Sequence, residues 1–303
     1  MTKVLCIHHS PCQDGFTAAW CVRHALGEEN VEFHPGVHGE PPPDVTGRDV
    51  VIVDFSYKRP VLEKMAETAK SILILDHHVS AQKDLAGIPA PPVSHPDDPT
   101  LRGWLPDAGM FALFDMDRSG AGIAWDYFHA ESRPWFVNHV EDRDLWRFKL
   151  EGTREVAAYL FSHEYDFKSW DEVSHAGSDE EVVDIMLAGA AIERKHHKDI
   201  AELVGRNKRE FVIEGDRVWA LNVPYTLVSD AGHALCKLDP ARPFACCYFD
   251  SGDWREFSLR SLADGADVSE IAKRYGGGGH AHAAGFRVPI ENLWDDGSPG
   301  DPR

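Results

Sequence analysis

Three apolar runs in the first quarter of the chain each stop at side chains that bind metal. Val4-Leu5-Cys6-Ile7 runs into His8-His9, Val50-Val51-Ile52-Val53 ends at Asp54, and Ser71-Ile72-Leu73-Ile74-Leu75 ends at Asp76-His77-His78. Apolar runs of this length without polar alternation read as strands buried on both faces, the pattern of a parallel sheet. Helical stretches separate them: Phe16–Leu26, and Val61–Lys70, which Pro60 opens at a position where proline is favourable. A short strand at Val31-Glu32-Phe33 falls between. The spacing predicts an α/β fold with helices covering both faces of the sheet. Carboxyl ends of parallel strands line the crevice where such sheets bind ligands. One acid at a strand end says little, but three ligand-bearing ends that converge constrain the chemistry.

Further along, residues 81–118 are rich in Pro, Asp and Gly and read as a loop or insertion, with helical patterns resuming at Gly120–Ala130 and Pro134–Val140. Ser178 followed by Glu181 is a capping box. The helix that it opens is expected to run to about Asn207, roughly 45 Å at 1.5 Å per residue, long enough to connect two domains. Beyond it, Phe211–Ile213, Val218–Asn222, Phe244–Phe249 and Phe257–Ser261 read as strands of a smaller mixed α/β domain, with a helix over Ser269–Tyr275. The expected organisation is a parallel-sheet domain over 1–178, a connector helix over 179–208, a second domain over 209–290 and a frayed acidic tail over 291–303.

The 303 residues carry 50 acids against 31 bases, a formal net charge of −19. Proteins that grip long duplex DNA show a basic face, so a small substrate held locally is favoured over a polymer held by field; the same charge also keeps the protein soluble. The chain has no apolar stretch of the roughly 20 residues needed to span a bilayer. Its start turns polar too soon for a signal peptide. None of the six cysteines forms a C-x-x-C pair, as a reducing, cytoplasmic setting would have it.

Two further segments carry chemistry. Gly276-Gly277-Gly278-Gly279-His280-Ala281-His282-Ala283-Ala284-Gly285 is a glycine run holding imidazoles, and glycine loops beside helix ends can present backbone amides to phosphate. Glu141-Asp142-Arg143-Asp144-Leu145-Trp146 is an acidic run that by itself reads as a solvated helix end. His139, His196 and His197 read as ordinary core or surface histidines, and His282 stays open.

Asp76-His77-His78 behind an apolar strand, with Gly277-Gly278-Gly279-His280 to Ala283-Ala284-Gly285 near the C-terminus, resembles the DHH phosphoesterase superfamily. The resemblance is to its RecJ-like and nanoRNase-like members, which carry the DHH-associated substrate-binding domain. Asp14-Gly15, Asp54, Asp142 and Ser258-Leu259-Arg260-Ser261 fall at matching places, so the likeness spans residues 8 to 286. It implies a hydrolase with two divalent cations, Mn2+ by preference and Mg2+, Zn2+ or Co2+ as options, acting on phosphoester or phosphoanhydride bonds. By the resemblance, Asp54 bridges the ions, Asp14, His77 and Asp142 complete one site, and an N-terminal histidine and a nearby acid hold the other. Asp76 steadies His77, His78 faces the phosphate, and Arg260, Gly277, Gly278, Gly279 and His280 grip the substrate's far end. The first motif departs from the usual pattern: Cys12 stands where an aspartate belongs. The histidine is His8 by counting back from Asp14, or His9 by the shorter spacing of a cysteine-bearing subgroup. A thiolate at Cys12 would shift preference toward zinc or iron; otherwise the residue only packs. The expected substrates are short oligonucleotides, with cyclic dinucleotides and phosphoadenylates as alternatives, and a homodimer is possible. The reading from another class is a nucleotide binder whose metal site has degenerated.

Overall fold

The computed structural model describes residues 3–91, Leu105 and 108–300, and these divide into two compact units, Met1–Glu193 and Arg194–Arg303. In the first, five parallel strands form one sheet in the order β2-β1-β3-β4-β5: β1 Val4–His9, β2 Val31–Gly36, β3 Asp49–Val53, β4 Ser71–Asp76 and β5 Gly109–Phe114. The buried strands are the apolar runs of the sequence. Ile7, Ile52 and Ile74 face a core with Phe55, Leu62 and Met65, while Cys6, Val51, Val53, Leu73 and Leu75 face a second core on the other side. Each fully buried aliphatic side chain contributes about 1.5–3 kcal/mol. The larger core belongs to helices α1 Gln13–Leu26, α4 Gly120–Phe128, α5 Trp135–Asp144, α6 Thr153–Phe161 and α7 Phe167–Ser174, with Trp20, Phe136 and Trp170 fully buried among them. Helix α2 Arg59–Ala66 carries Pro60 in its first turn, and α3 Val79–Asp84 follows β4.

Two sequence expectations change here. Strand β5, and the end of α3, fall inside the stretch read as loop; β5 pairs along the whole of β4 and is half-buried, and its short apolar run Met110-Phe111-Ala112-Leu113-Phe114 is set in a segment otherwise rich in Pro, Asp and Gly. Most of 92–107 lies outside the described residues. Helix α1 begins at Gln13, three residues before the expected Phe16, which puts Asp14 and Gly15 in its first turn.

Helix α8, Asp179–Asn207, has 29 residues and crosses from one unit into the other. Its capping box forms as read: the Glu181 amide donates to Ser178 Oγ at 3.3 Å and the Ser178 amide to Glu181 Oε2 at 3.1 Å. In the first unit Gly189 lies so close to α6 that an added Cβ would be 1.9 Å from the Glu155 carbonyl oxygen. Only glycine allows that approach.

The second unit is a six-stranded sheet, order β10-β11-β9-β8-β7-β6: β6 Arg209–Ile213, β7 Asp216–Asn222, β8 Ala245–Ser251, β9 Trp254–Arg260, β10 Gly278–His280 and β11 Ala283–Pro289. Only β7 and β8 are parallel. Helices α9 Val228–Leu238 and α10 Val268–Arg274 pack on it. The tail is not frayed through Gly300. The Trp294 amide donates to Ser298 O, Leu293 bridges Pro299, Arg255 Nη1 donates to Gly297 O, and Ser298 is buried. Its polar residues are used in a turn, which composition alone does not distinguish from disorder. Among the described residues, no helix is long and apolar enough to cross a membrane.

Candidate metal centre

In a sheet of order 2-1-3-4-5 the direction of winding reverses between β1 and β3, and ligands bind at the carboxyl ends there. His8 pairs with Val53, and Val53 with Leu75. One residue further, His9, Asp54 and Asp76 therefore stand side by side at the ends of three adjacent strands. Asp54 leaves β3 with φ 53°, in the left-handed region, while its amide still donates to Leu75 O at 2.9 Å. Aspartate tolerates that conformation better than most residues, and such strain concentrates at functional sites.

Asp54 presents one oxygen to each side. Its Oδ2 lies 3.4 Å from His9 Nδ1 and its Oδ1 lies 3.1 Å from His77 Nε2, and the residue is 1% exposed. On the His9 side, His9, Cys12 and Asp54 bring three ligand atoms within 4.8 Å of one another. On the other, Asp14, His77 and Asp144 do the same, with His77 Nε2 at 3.5 Å from Asp144 Oδ2 and 3.9 Å from Asp14 Oδ2. His9 Nδ1 and Asp54 Oδ2 are both buried without a hydrogen-bond partner, which is costly unless something else satisfies them.

The electrostatics agree. Burial opposes ionisation of Asp54, yet the imidazoles of His77 and His9 hold its carboxyl well below the usual carboxylate range. Burial, then the charges of Asp54 and Asp144, push the Asp14 carboxyl well above it. Asp144 is raised by burial and by Asp54. His77, although buried, is held well above the ordinary imidazole range by Asp54, Asp144 and Asp14. Three carboxylates crowded on one imidazole form a surplus of negative charge that a cation would neutralise. The donor set, the unpartnered atoms and this charge fit two divalent cations.

Local sequence explains the crowding. Asp14 is seated by the first turn of α4, whose Gly120 and Ala121 amides donate to its Oδ2 and Oδ1 at 2.6 and 3.1 Å. A Cβ on Gly120 would lie 2.3 Å from Asp54 Cβ and 2.9 Å from Asp14 Oδ2. Gly15 brings α1 against β1: a Cβ there would be 2.4 Å from the His9 carbonyl oxygen. After α5, Trp146 and Phe148 both take positive φ, and the guanidinium of Arg143 lies over Trp146 at 4.5 Å and that of Arg154 over Phe148 at 3.8 Å. These contacts fix the chain that leaves Asp144.

Of the two N-terminal histidines, His9 reaches Asp54. His8 lies on the other face of β1, 7% exposed, its Nδ1 bonded to His9 O and its ring edge-on to Phe16. Burial brings it down to about 4, a neutral core imidazole. The acidic run also differs from expectation. Asp142 is turned away: it accepts from the Lys149 and Leu150 amides at 2.9 and 3.0 Å and from Thr153 Oγ1 at 2.6 Å. Residues two apart on a helix point about 200° apart, so the residue in the cluster is Asp144. Sequence reasoning missed it, although the only signal needed was the helical phase of that run. His38, also missed, sits 5.3 Å from the His9 ring and is lowered to about 4 by burial and by His9 and His78. Asp76 Oδ1 accepts from the His77 amide at 2.7 Å and from His78 Nδ1 at 2.7 Å. It thus orients the His78 ring, where it was expected to steady that of His77.

In the second unit the glycine run is not a phosphate loop at a helix N-terminus. It follows the C-terminus of α10: Gly276, φ 80°, and the Gly277 amide, bonded to Ala272 O, close that helix. Gly278–His280 is then edge strand β10. A Cβ on Gly277 would lie 2.0 Å from Gly285 O, so this glycine is needed for packing. Cross-strand register sets His280 opposite Ala283, and Ala283 opposite Arg260, placing His280 and Arg260 in one row on one face. Arg260 donates from Nη1 to Ser258 Oγ and Leu259 O and from Nη2 to Ser229 Oγ. His282 meets Ser261 Oγ through Nδ1.

No profile of a known protein family matches the chain. It is 28% identical over 321 aligned residues to an uncharacterized protein of Acanthamoeba polyphaga mimivirus, covering 96% of this chain and 70% of that one. Over 63 residues it is 43% identical to the oligoribonuclease NrnB of Bacillus subtilis, 21% of this chain and 15% of that one. Among solved structures, the DHH domain of a member of a family of ribosomal proteins superposes with a TM-score of 0.59 at 13% identity, covering 94% of this chain and 82% of that one.

Proposed function

From a chain that is a protein of the DHH superfamily in fold and in the order of its motifs, we propose a divalent-metal-dependent phosphoesterase that hydrolyses short oligonucleotides or similar nucleotide diesters. The observation that carries this reading is Asp54, buried, with one oxygen toward His9 and the other toward His77. His9 and Asp54 would hold one cation, and Asp14, His77, Asp144 and Asp54 the other, with Mn2+ the first choice. What cations supply in such a site is Lewis acidity, which makes hydroxide available near neutral pH and offsets charge on phosphorus. The protein's own part is positional. The α4 amides hold Asp14, β3 turns Asp54 to both sides, and Asp76 fixes the His78 ring through Nδ1, so that what His78 gives the phosphate goes through Nε2. In the second unit, the Arg260 and His280 row is the candidate phosphate grip. The likeness to an oligoribonuclease over 63 residues and the net charge of −19 support short substrates. Manganese-loaded protein should release mononucleotides from an end-labelled di- to pentanucleotide, and Asp54→Ala should stop it. Cyclic dinucleotides and phosphoadenylates are the comparison substrates. A second reading, a binder without turnover, is favoured by Cys12 in place of a carboxylate. Tight nucleotide binding with no hydrolysis of any of these substrates would establish it and refute the enzyme.

A further inference from the structure

The two halves of the cluster differ in their donors. The half nearer His77 offers one imidazole and two carboxylates, Asp14 and Asp144; the half nearer His9 offers an imidazole, the Asp54 carboxylate and the Cys12 thiol. Cys12 is the N-cap residue of the 14-residue helix α1, two residues before Asp14 and three after His9. Asp54 and His9, whose Oδ2 and Nδ1 lie 3.4 Å apart, buried and without a hydrogen bond, each bring a ligand atom within 4.8 Å of the Cys12 Sγ. The other two cysteines of this unit, Cys6 and Cys21, are buried in the core.

We propose that Cys12 Sγ is a direct ligand of the cation on the His9 side of Asp54, so that the centre has two unequal sites: a nitrogen–sulfur–oxygen site for a borderline-soft ion such as Zn2+, Co2+ or Fe2+, and a nitrogen–oxygen site for Mn2+ or Mg2+. This rests on the two-cation reading of the cluster and extends it to the identity of the ions. Thiolate donors select softer ions, whereas carboxylates suit Mg2+ and Mn2+. On binding, the Cys12 thiol releases its proton to solvent and the sulfur lone pair forms the bond to the cation.

Cobalt(II) added to the metal-free full-length protein is the probe. The wild type should bind two ions and show a thiolate-to-cobalt charge-transfer band in the near ultraviolet. Cys12→Ser should abolish the band and weaken the ion on the His9 side by at least about tenfold, in line with the cost of disturbing a metal's surroundings. Cys12→Asp should bind two ions without the band and shift that site's preference toward Mn2+. Two bound cobalt ions without a band, or a band that persists in Cys12→Ser, would overturn the proposal. Hydrolysis measured alongside separates the two claims. Oligonucleotide turnover with no band sinks only the thiolate ligand, and a Cys12-dependent band without turnover sinks only the phosphoesterase. No cobalt bound at all removes both.

Discussion

Asp142 and Asp144 stand two residues apart and should fail in opposite ways. Asp142 is buried and accepts three hydrogen bonds that tie the end of α5 to the segment before α6 and to the first residue of α6. Its carboxyl is held below the usual range, against burial, by the Thr153 hydroxyl and the Lys149 and Leu150 amides. In Asp142→Asn an amide NH2 replaces one accepting oxygen and the charge is lost. At about 1.5–3 kcal/mol for a hydrogen bond to a charged group, we expect a loss of about 2–3 kcal/mol. In a unit of this size that lowers Tm by about 5–10 °C. Asp144 instead adds to a cluster that already repels itself. Asp144→Asn should leave metal-free stability unchanged or slightly higher, weaken the cation at His77, and cut turnover by about a hundredfold or more, beyond the cost of an outer-shell change. The assays are urea unfolding in chelator, calorimetric Mn2+ binding and oligonucleotide hydrolysis on both variants. If Asp142→Asn loses metal at unchanged stability while Asp144→Asn keeps both metal and turnover, the helical-phase argument is wrong.

Other outcomes follow from the same geometry. Gly120→Ala, whose Cβ would fall 2.3 Å from Asp54 Cβ, should lose cation binding, read by titration calorimetry. Saturating Mn2+ should stabilise the first unit by about 2.7 kcal/mol at a hundredfold excess over Kd, seen as a rise in Tm over the chelated protein. In chelator, stability should fall as pH rises above 6.5. His77 is raised above that value, so there the folded state holds a proton that the unfolded one has lost, and that advantage goes as the proton leaves; Asp14 and Asp144, raised above 3.8, act with the same sign from lower pH upward. The urea midpoint measured across this range should decline without Mn2+ and stay level or rise with it; a midpoint rising with pH in chelator would contradict the charge surplus.

The parallel sheet and the three ligand-bearing strand ends were legible because doubly buried strands write themselves as apolar runs. Which side chain of an adjacent pair reaches the crevice was harder. His9 against His8 is a question of strand face, and Asp144 against Asp142 a question of helical phase. Both depend on where an element begins, to within one residue. The glycine run is ambiguous for a different reason. Glycines that cap a helix C-terminus and admit a neighbouring strand look, in sequence, like glycines that cradle a phosphate. Strand β5 stayed hidden because its five apolar residues, Met110 to Phe114, lie in a long Pro-, Asp- and Gly-rich stretch whose composition reads as loop.

The most direct test of the two-cation centre is anomalous diffraction from crystals of the full chain loaded with Co2+. Two peaks are expected roughly 3.5–4 Å apart, one on each side of the Asp54 carboxylate, with His9 at the first and Asp14, His77 and Asp144 at the second. A single ion, or an ion bound at Asp142 or His8 with Asp54 uninvolved, would contradict it.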